Sequence, residues 1–400
     1  MKYSADEVMQ YVEEEDVKFI RLAFCDVYGV QKNLAIQPSE LRRAFRHGAA
    51  LDASAIAGFD RGFRSDLFLR PDPSTLARLP WRPESGKVVR MFCDVLTPDG
   101  EIFSCDTRNI LKRAAEKAEA RNLRFELGSR MEFYLFKTGD DGESTGVPCD
   151  NAGYMDIAPG DRGENIRREI CLTLEQMGIH PESSHHEEGP GQNEIDFVCA
   201  PPLAAADNAV TFVSIVKTVA ARNGLHADFS PLPLKDAPGS GMHINISVEN
   251  DASLRSVMAG IMAKIREMTV FLNPLEQSYE RFGRGKAPSH IAWARENRSQ
   301  LLRIPAAFGA HAGVELRSPD PMANPYLAFA LLIHAGLYGL EHSLELPPAS
   351  EVNFTDASAP GSEAYEALPA SRAEAARLVR ESDFIRGILP EEIVAAYCGR

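Results

Sequence analysis

The chain has 400 residues and a mass of 44.0 kDa, long enough for more than one hydrophobic core. Its apolar fraction of 44% and charged fraction of 25% are those of a folded globular protein, which argues against a disordered chain. The net charge of −14 argues against non-specific binding to nucleic acid or to an anionic membrane. Seven scattered cysteines without a CxxC pair have the usage of reduced thiols in a cytoplasmic protein. The acidic N-terminus MKYSADEVMQYVEEED lacks the apolar core of a secretion signal, and no apolar run reaches the length of a membrane span.

In chain order, residues 3–15 have the spacing of a short amphipathic helix. In VKFIRLAFCDVYGVQKNLAI (17–36), Ile20, Leu22 and Phe24 alternate onto one face and Tyr28-Gly29 supplies a turn, which predicts a β-hairpin. LRRAFRHG (41–48) predicts a second short helix, and GFDRGFRSDLFLRPDPSTL predicts loops and short strands. KVVRMFCDVLTPDGEIF predicts a further hairpin that turns at Pro98-Asp99-Gly100. Asp106 then caps a long helix, TRNILKRAAEKAEARNL, which sets a domain boundary between 1–103 and 104–400.

The second part alternates strands and helices. FELGSRMEFYLF, NEIDFVCA, GSGMHINISV and AGVELRSPD read as strands. NIRREICLTLEQMG, NAVTFVSIVKTVAARNG and SLRSVMAGIMAKIREMTVFL read as helices. The apolar helix NPYLAFALLIHAGLYGLEHSL is interrupted by Asn324, His334 and Glu341, so it belongs in a protein core rather than a membrane. Residues 347–363 read as an exposed loop. The fold class is α+β, a small β-rich domain before a larger one with an antiparallel sheet and flanking helices.

The segment HHEEGPGQNEID (185–196) brings two histidines and several carboxylates into a Gly/Pro-broken stretch. Carboxylates fixed on a strand-and-turn frame suit a hard divalent cation, Mg²⁺ or Mn²⁺, which takes oxygen ligands. For His185 and His186 two readings stay open, that one of them touches substrate or that they are satisfied buried histidines.

This segment closely resembles the metal-binding segment of the glutamine synthetase family. DVKFIRLAFCDVYGVQKNLAI, LDASAIAGF, SDLFLRPDPSTL, GYMDIAPGD, GSGMH, NRSQLLRIP and VELRSPDPMANPYLAFA resemble further signatures of that family, in order along nearly the whole chain. The resemblance implies a β-grasp N-terminal domain and a glutamine synthetase-type catalytic domain. It also implies a site for two divalent metals, ATP, an amino-acid carboxylate and an amine. That site lies between neighbouring subunits of a hexameric ring, or of two stacked rings. The chain ends soon after LPEEIVAAY, short of the family tail that ties two rings together.

Carried over by position, Glu132, Glu187 and Glu194 would hold the first metal, and His243 and Glu315 the second. Arg281, Arg317 and Gly239 would bind the amino-acid substrate, with His243 beside it. Arg298 and Arg303 would contact phosphate, and Asp52 would bind and deprotonate the amine. Several positions depart from the family pattern. Arg130 stands where a third carboxylate of the second metal site is expected, and a guanidinium cannot ligate a cation. Lys286 replaces the flap glutamate and would repel ammonium, Pro238 replaces an asparagine, and Val198, Cys199, Leu232 and Gly313 replace residues on the nucleotide side.

These departures lead to the expectation of a diverged enzyme. It would use one divalent metal, the arginines and Lys286 on a small amino acid or carboxylate, without ordinary ATP-driven glutamine synthesis. Two other readings stay open, an ATP-dependent glutamate–amine (γ-glutamyl) ligase such as glutamine synthetase, and a non-catalytic regulatory homologue.

Overall fold

A computed structural model describes residues 3–59, 65–82, 85–306, 313–355 and 359–399. Parts of two expected loops, residues 60–64 and 356–358, lie outside the described residues. The chain divides into two units, one of residues 1–110 with 175–178 and one of residues 111–174 with 179–400.

In the first unit, α1 (Ala5–Glu14) starts with a capping box between Ser4 and Glu7 and buries Val8 and Val12. β1 (Val17–Cys25) and β2 (Gln31–Ile36) form the expected hairpin, with the Asp26 carboxylate accepting from the N–H groups of Tyr28 and Val30. They are followed by α2 (Leu41–His47), β3 (Ala49–Asp52), β4 (Asp66–Pro71), β5 (Ala77–Arg78) and β6 (Lys87–Leu96). The sheet runs β2-β1-β6-β4-β3, with β5 also on β6 and with β1 and β6 parallel. The second expected hairpin is present as a short one: around the Pro98-Asp99-Gly100 turn Thr97 N–H donates to Glu101 O, Phe103 N–H donates to Val95 O and Ile102 bridges to Leu96, while β6 itself pairs with β1, β4 and β5. Asp106 caps α3 (Thr107–Glu119) by accepting from Asn109 N–H and also accepts from Val95 N–H on β6.

The second unit is built on a long central strand, β7 (Phe125–Thr138). After it come β8 (Ser144–Pro148), α4 (Glu164–Gln176), β9 (Pro181–His186), β10 (Gln192–Phe197), α5 (Pro202–Arg222), β11 (Leu225–Asp228) and β12 (Met242–Val248). The chain continues through α6 (Asp251–Leu272), α7 (Glu276–Arg281), β13 (Trp293–Arg295), β14 (Leu302–Ile304), β15 (Val314–Leu316) and α8 (Pro325–Glu341). It closes with α9 (Arg372–Glu381), α10 (Asp383–Arg386) and α11 (Glu391–Cys398). The sheet order is β13-β14-β15-β12-β7-β10-β9, with β8 and β11 also on β7, and the pairs are antiparallel except β13–β14.

Alternate residues of a strand share a face, so β7 separates two environments. Met131, Phe133 and Leu135 are buried in the core, where Phe133, Phe197 and Phe229 surround Phe212 of α5 with ring centroids 5.5–6.2 Å from it. Burying each such ring contributes ~1.5–3 kcal/mol. α5 is long and apolar enough to cross a membrane by length and composition alone, and 61% of its apolar window is buried within the fold. α6 and α8 cross at close range. A Cβ on Gly260 would fall 2.0 Å from the carbonyl oxygen of Ala335, and one on Gly339 2.0 Å from that of Ser256.

Candidate active site

The opposite face of β7 carries the polar residues. Tyr134 lies opposite Gln192, Glu132 opposite Glu194, and Arg130 opposite Asp196, so three cross-strand rungs point the same way. β12 places His243 opposite Arg130, β9 places His185 opposite Glu194, and β14 places Arg303 opposite Glu315 of β15. The strand register alone thus assembles residues from distant stretches of the chain.

Glu132 Oε2 accepts from Gly241 N–H at 2.9 Å and from Gln192 Nε2 at 3.1 Å. His185 Nε2 lies 2.9 Å from Glu187 Oε1 and 3.8 Å from Glu194 Oε1. Two triads, Glu132–Glu194–His243 and His185–Glu187–Glu194, each bring their ligand atoms within 4.8 Å of one another. Burial and the nearby Glu187 charge push Glu132 up to about 7. Burial, reinforced by Asp196 and only partly offset by Arg130, pushes Glu194 well above the usual carboxylate range. Buried carboxylates that repel one another are relieved by a divalent cation, so Glu132, Glu187 and Glu194 fit one.

The second half of the site is already neutralised. Arg130 forms a two-pronged pair with Asp196, Nε to Oδ1 at 2.8 Å and Nη2 to Oδ2 at 2.7 Å. Its Nη2 is 3.3 Å from Glu194 and its Nη1 3.7 Å from Glu315. Glu315 Oε2 accepts from Arg303 at 2.9 Å and from Arg317 at 3.0 Å, and its Oε1 lies 3.3 Å from His243 Nδ1. Burial alone would raise Glu315, but His243, Arg317, Arg303 and Arg130 outweigh it and hold the carboxyl well below its usual range. Burial, with Arg317 beside it, holds His243 far below the usual histidine value.

A divalent ion on His243 and Glu315 would share Glu315 with the Arg130 guanidinium, whose Nη1 lies 3.7 Å from that carboxylate, and the two cations would repel one another. Among the described residues Glu315 belongs to no metal-capable cluster. These residues do not fit a second cation.

A third triad, Asp150–Asp161–His186, is satisfied internally. Asp161 pairs with Arg167, while His186 is fully buried between Asp150 at 2.9 Å and the carbonyl oxygen of Glu187 at 2.7 Å. Of the two adjacent histidines, His186 anchors the turn and His185 faces the acids.

Two cavities flank this face. The larger, about 820 Å³, is lined by Glu132, Glu187, Glu194, Arg281, Arg298 and Arg317 among others. The smaller, about 260 Å³, is lined by Asp196, Val198, Cys199, Arg303, Gly313 and Glu315 among others. Arg281 donates from Nη2 to the carbonyls of Ser318 and Pro319, and Arg317 donates from Nε to the carbonyl of Arg298. Gly239 is required where it stands, because a Cβ there would meet Pro231 O at 2.5 Å and Arg281 Cγ at 2.7 Å. At the exposed rim Lys286 pairs with Glu188, and its Nζ lies 5.4 Å from the Tyr154 ring centre.

Most of the residues singled out in the sequence therefore converge in the second unit. Asp52 belongs to the first unit, at the end of β3, where Ser54 N–H donates to its carboxylate at 2.9 Å. Gln192, Asp196 and Gly241 were missed. The signal for the first two was present, because Gln192, Glu194 and Asp196 recur with the period of a strand and must share a face. Leu232 is buried, so its apolar character suits a core position.

Residues 104–399 match the glutamine synthetase catalytic domain, and residues 16–98 match the glutamine synthetase beta-grasp domain. The chain is 42% identical to a glutamine synthetase of Clostridium saccharobutylicum, over 99% of this chain and 94% of that protein. It is 41% identical to one of Methanosarcina mazei, over 98% and 92%. Its structure is similar to a solved GmaS/ADP complex, with TM-score 0.88, 27% identity, and coverage of 100% of this chain and 94% of the other. The expectation of a reaction independent of ATP is corrected by these findings: full-length relatives are glutamine synthetases, and the structural neighbour carries ADP. The departures at Val198, Cys199 and Gly313 leave a cavity open beside them. The β-grasp and catalytic domains together, matched over nearly the whole length, show that this chain belongs to the glutamine synthetase family.

Proposed function

We propose that the chain is an ATP-dependent carboxylate–amine ligase that activates the side-chain carboxylate of glutamate and joins it to an amine. The observation that carries this reading is the acid cluster of Glu132, Glu187 and Glu194 beside buried Arg281 and Arg317 in one cavity, with a second cavity adjoining it. A carboxylate oxygen attacks the γ-phosphorus of ATP, the bond to the ADP oxygen breaks, and an acyl phosphate forms. The amine nitrogen then attacks the acyl carbon, inorganic phosphate leaves, and the surplus amine proton passes to a base.

Arg281 has its Nη2 engaged by carbonyls, which leaves Nη1 for the α-carboxylate, and Gly239 keeps the backbone close enough for a further contact. Arg317 and Arg298 stand on the same cavity as cations for the carboxylate and the phosphoryl group. Asp52, from a neighbouring subunit of a ring, accepts the amine proton. Glu132, Glu187 and Glu194 would hold a divalent cation, which would supply charge neutralisation for phosphoryl transfer.

The test is to supply the purified chain with ATP, Mg²⁺, glutamate and a panel of amines, and to quantify ADP and γ-glutamyl amide together. Equal amounts of both are expected with at least one amine. Absence of ADP and amide across ammonium, alkylamines and hydroxylamine would overturn the reading.

A further inference from the structure

Arg130 has a position that no other described residue shares. Among the described residues lining the two cavities, it alone lines both, the 820 Å³ cavity with the acid cluster and the 260 Å³ cavity with Arg303 and Gly313. Its guanidinium is held rigidly, since Asp196 takes Nε and Nη2 in a planar two-pronged pair and Ser183 Oγ steadies Asp196 at 2.6 Å. A guanidinium has five N–H donors, and the hydrogen bonds of Arg130 among the described residues come from Nε and Nη2, while Nη1 lies 3.7 Å from Glu315, beyond hydrogen-bond reach. Nη1 therefore keeps donors for an anion while the rest of the group is anchored.

The surroundings complete the argument. Glu315, expected as a ligand of the second cation, gives one oxygen to Arg303 and Arg317 instead. Arg130 also balances Glu194 and Asp196, so a positive charge is built permanently into the place where the family pattern calls for a carboxylate and a metal ion. A planar guanidinium binds phosphate oxygens as well as carboxylates.

We propose that Arg130 substitutes for the second divalent cation: its guanidinium is the fixed charge at the junction of the two cavities and contacts the phosphoryl group of the nucleotide, so each chain holds a single divalent cation. This rests on the ligase reading for the identity of the anion. The cation count stands on geometry alone.

The experiment is a Mn²⁺ titration of the full-length protein without nucleotide, followed by electron paramagnetic resonance. One tight Mn²⁺ per chain is expected for the wild type and for Arg130→Gln, and a second in Arg130→Glu, which restores a carboxylate beside His243 and Glu315. Two tight Mn²⁺ ions in the wild type would overturn the proposal whether or not the glutamate variant folds. In parallel, Arg130→Gln should weaken binding of the β,γ-imido analogue of ATP by roughly 10- to 100-fold, the loss of a charge-assisted hydrogen bond. Unchanged affinity for the analogue would also overturn it. A chain with one Mn²⁺ and normal analogue binding in the wild type, yet no amide product, would sink the ligase reading and leave the cation count intact. A chain that makes amide with two tight Mn²⁺ ions would do the reverse.

Discussion

Replacing Arg130 with methionine removes the guanidinium and keeps much of its volume. Asp196 and Glu194 have side chains 7% and 5% exposed, so they would be left as buried charges. Asp196 would retain the Ser183 hydroxyl, while Glu315 would still have Arg303 and Arg317. Removing one partner of a buried pair costs ~3–5 kcal/mol, because the other charge stays desolvated. The Arg130 side chain is itself 26% exposed, and that access to solvent brings the expected loss down to about 2–3 kcal/mol.

The assay is urea denaturation of metal-free protein at fixed concentration, followed by fluorescence. Adding Asp196→Asn to the methionine variant should recover part of the loss, with a coupling of about 1–3 kcal/mol between the two sites. Mg²⁺ should raise the midpoint of the variant more than that of the wild type, since an added cation meets uncompensated acids. A methionine variant within about 0.5 kcal/mol of wild type, the range of ordinary surface changes, would refute the view that Arg130 neutralises this face.

Further outcomes can be checked independently. Glu132→Gln should abolish most of the Mn²⁺-dependent rise in melting temperature, because linkage stabilisation disappears when the site no longer binds; an unchanged rise would move the metal elsewhere. Gly260→Ala should destabilise by about 1–3 kcal/mol or more through overpacking, since its methyl group meets the backbone carbonyl of Ala335 on α8. Lys286→Glu should improve use of ammonium by no more than about five-fold, the modest effect expected of an exposed charge, read as a lower KM for ammonium.

Asp106 supplies a pH test. Burial, with Asp94 nearby, raises its carboxyl to about 6 against an ordinary value of 3.8, so the folded chain binds the extra proton between these values. Stability from this group is therefore full below about pH 4 and is lost as pH rises through 6, a change of roughly 3 kcal/mol. Asp106→Asn keeps a capping oxygen and should flatten that slope in urea melts between pH 4 and 7.

Much of the architecture was legible because its signals are local. The Ile20, Leu22, Phe24 alternation and the Tyr28-Gly29 turn suffice for the β1–β2 hairpin, and Asp106 marks the start of α3. β9 was hidden, because PESSHH has no apolar alternation and is held by pairing with β10. The Pro98-Asp99-Gly100 turn was legible too and closes a short hairpin, whereas the pairing of β6 with β1 and β4 is long-range and no local pattern reveals it. At the site, residue types indicated a cation cluster, whereas the role of Arg130 depended on register: only the pairing of β7 with β10 sets it against Asp196. The departures from the family pattern were visible individually. For Arg130 the residue type suggested either a salt bridge to Glu315 or a cation in place of the second metal, but its two-pronged pair with Asp196 follows only from the strand register.

The central claim, acyl-phosphate formation from ATP and glutamate, is tested most directly by oxygen transfer. Glutamate labelled with ¹⁸O in its side-chain carboxylate is incubated with the protein, MgATP and an accepted amine, and the released phosphate is analysed by mass. The account predicts one ¹⁸O in each phosphate released, because the oxygen that attacks phosphorus leaves with it. Phosphate released without the label would mean that water, and not the carboxylate, attacks the nucleotide, and would contradict the account.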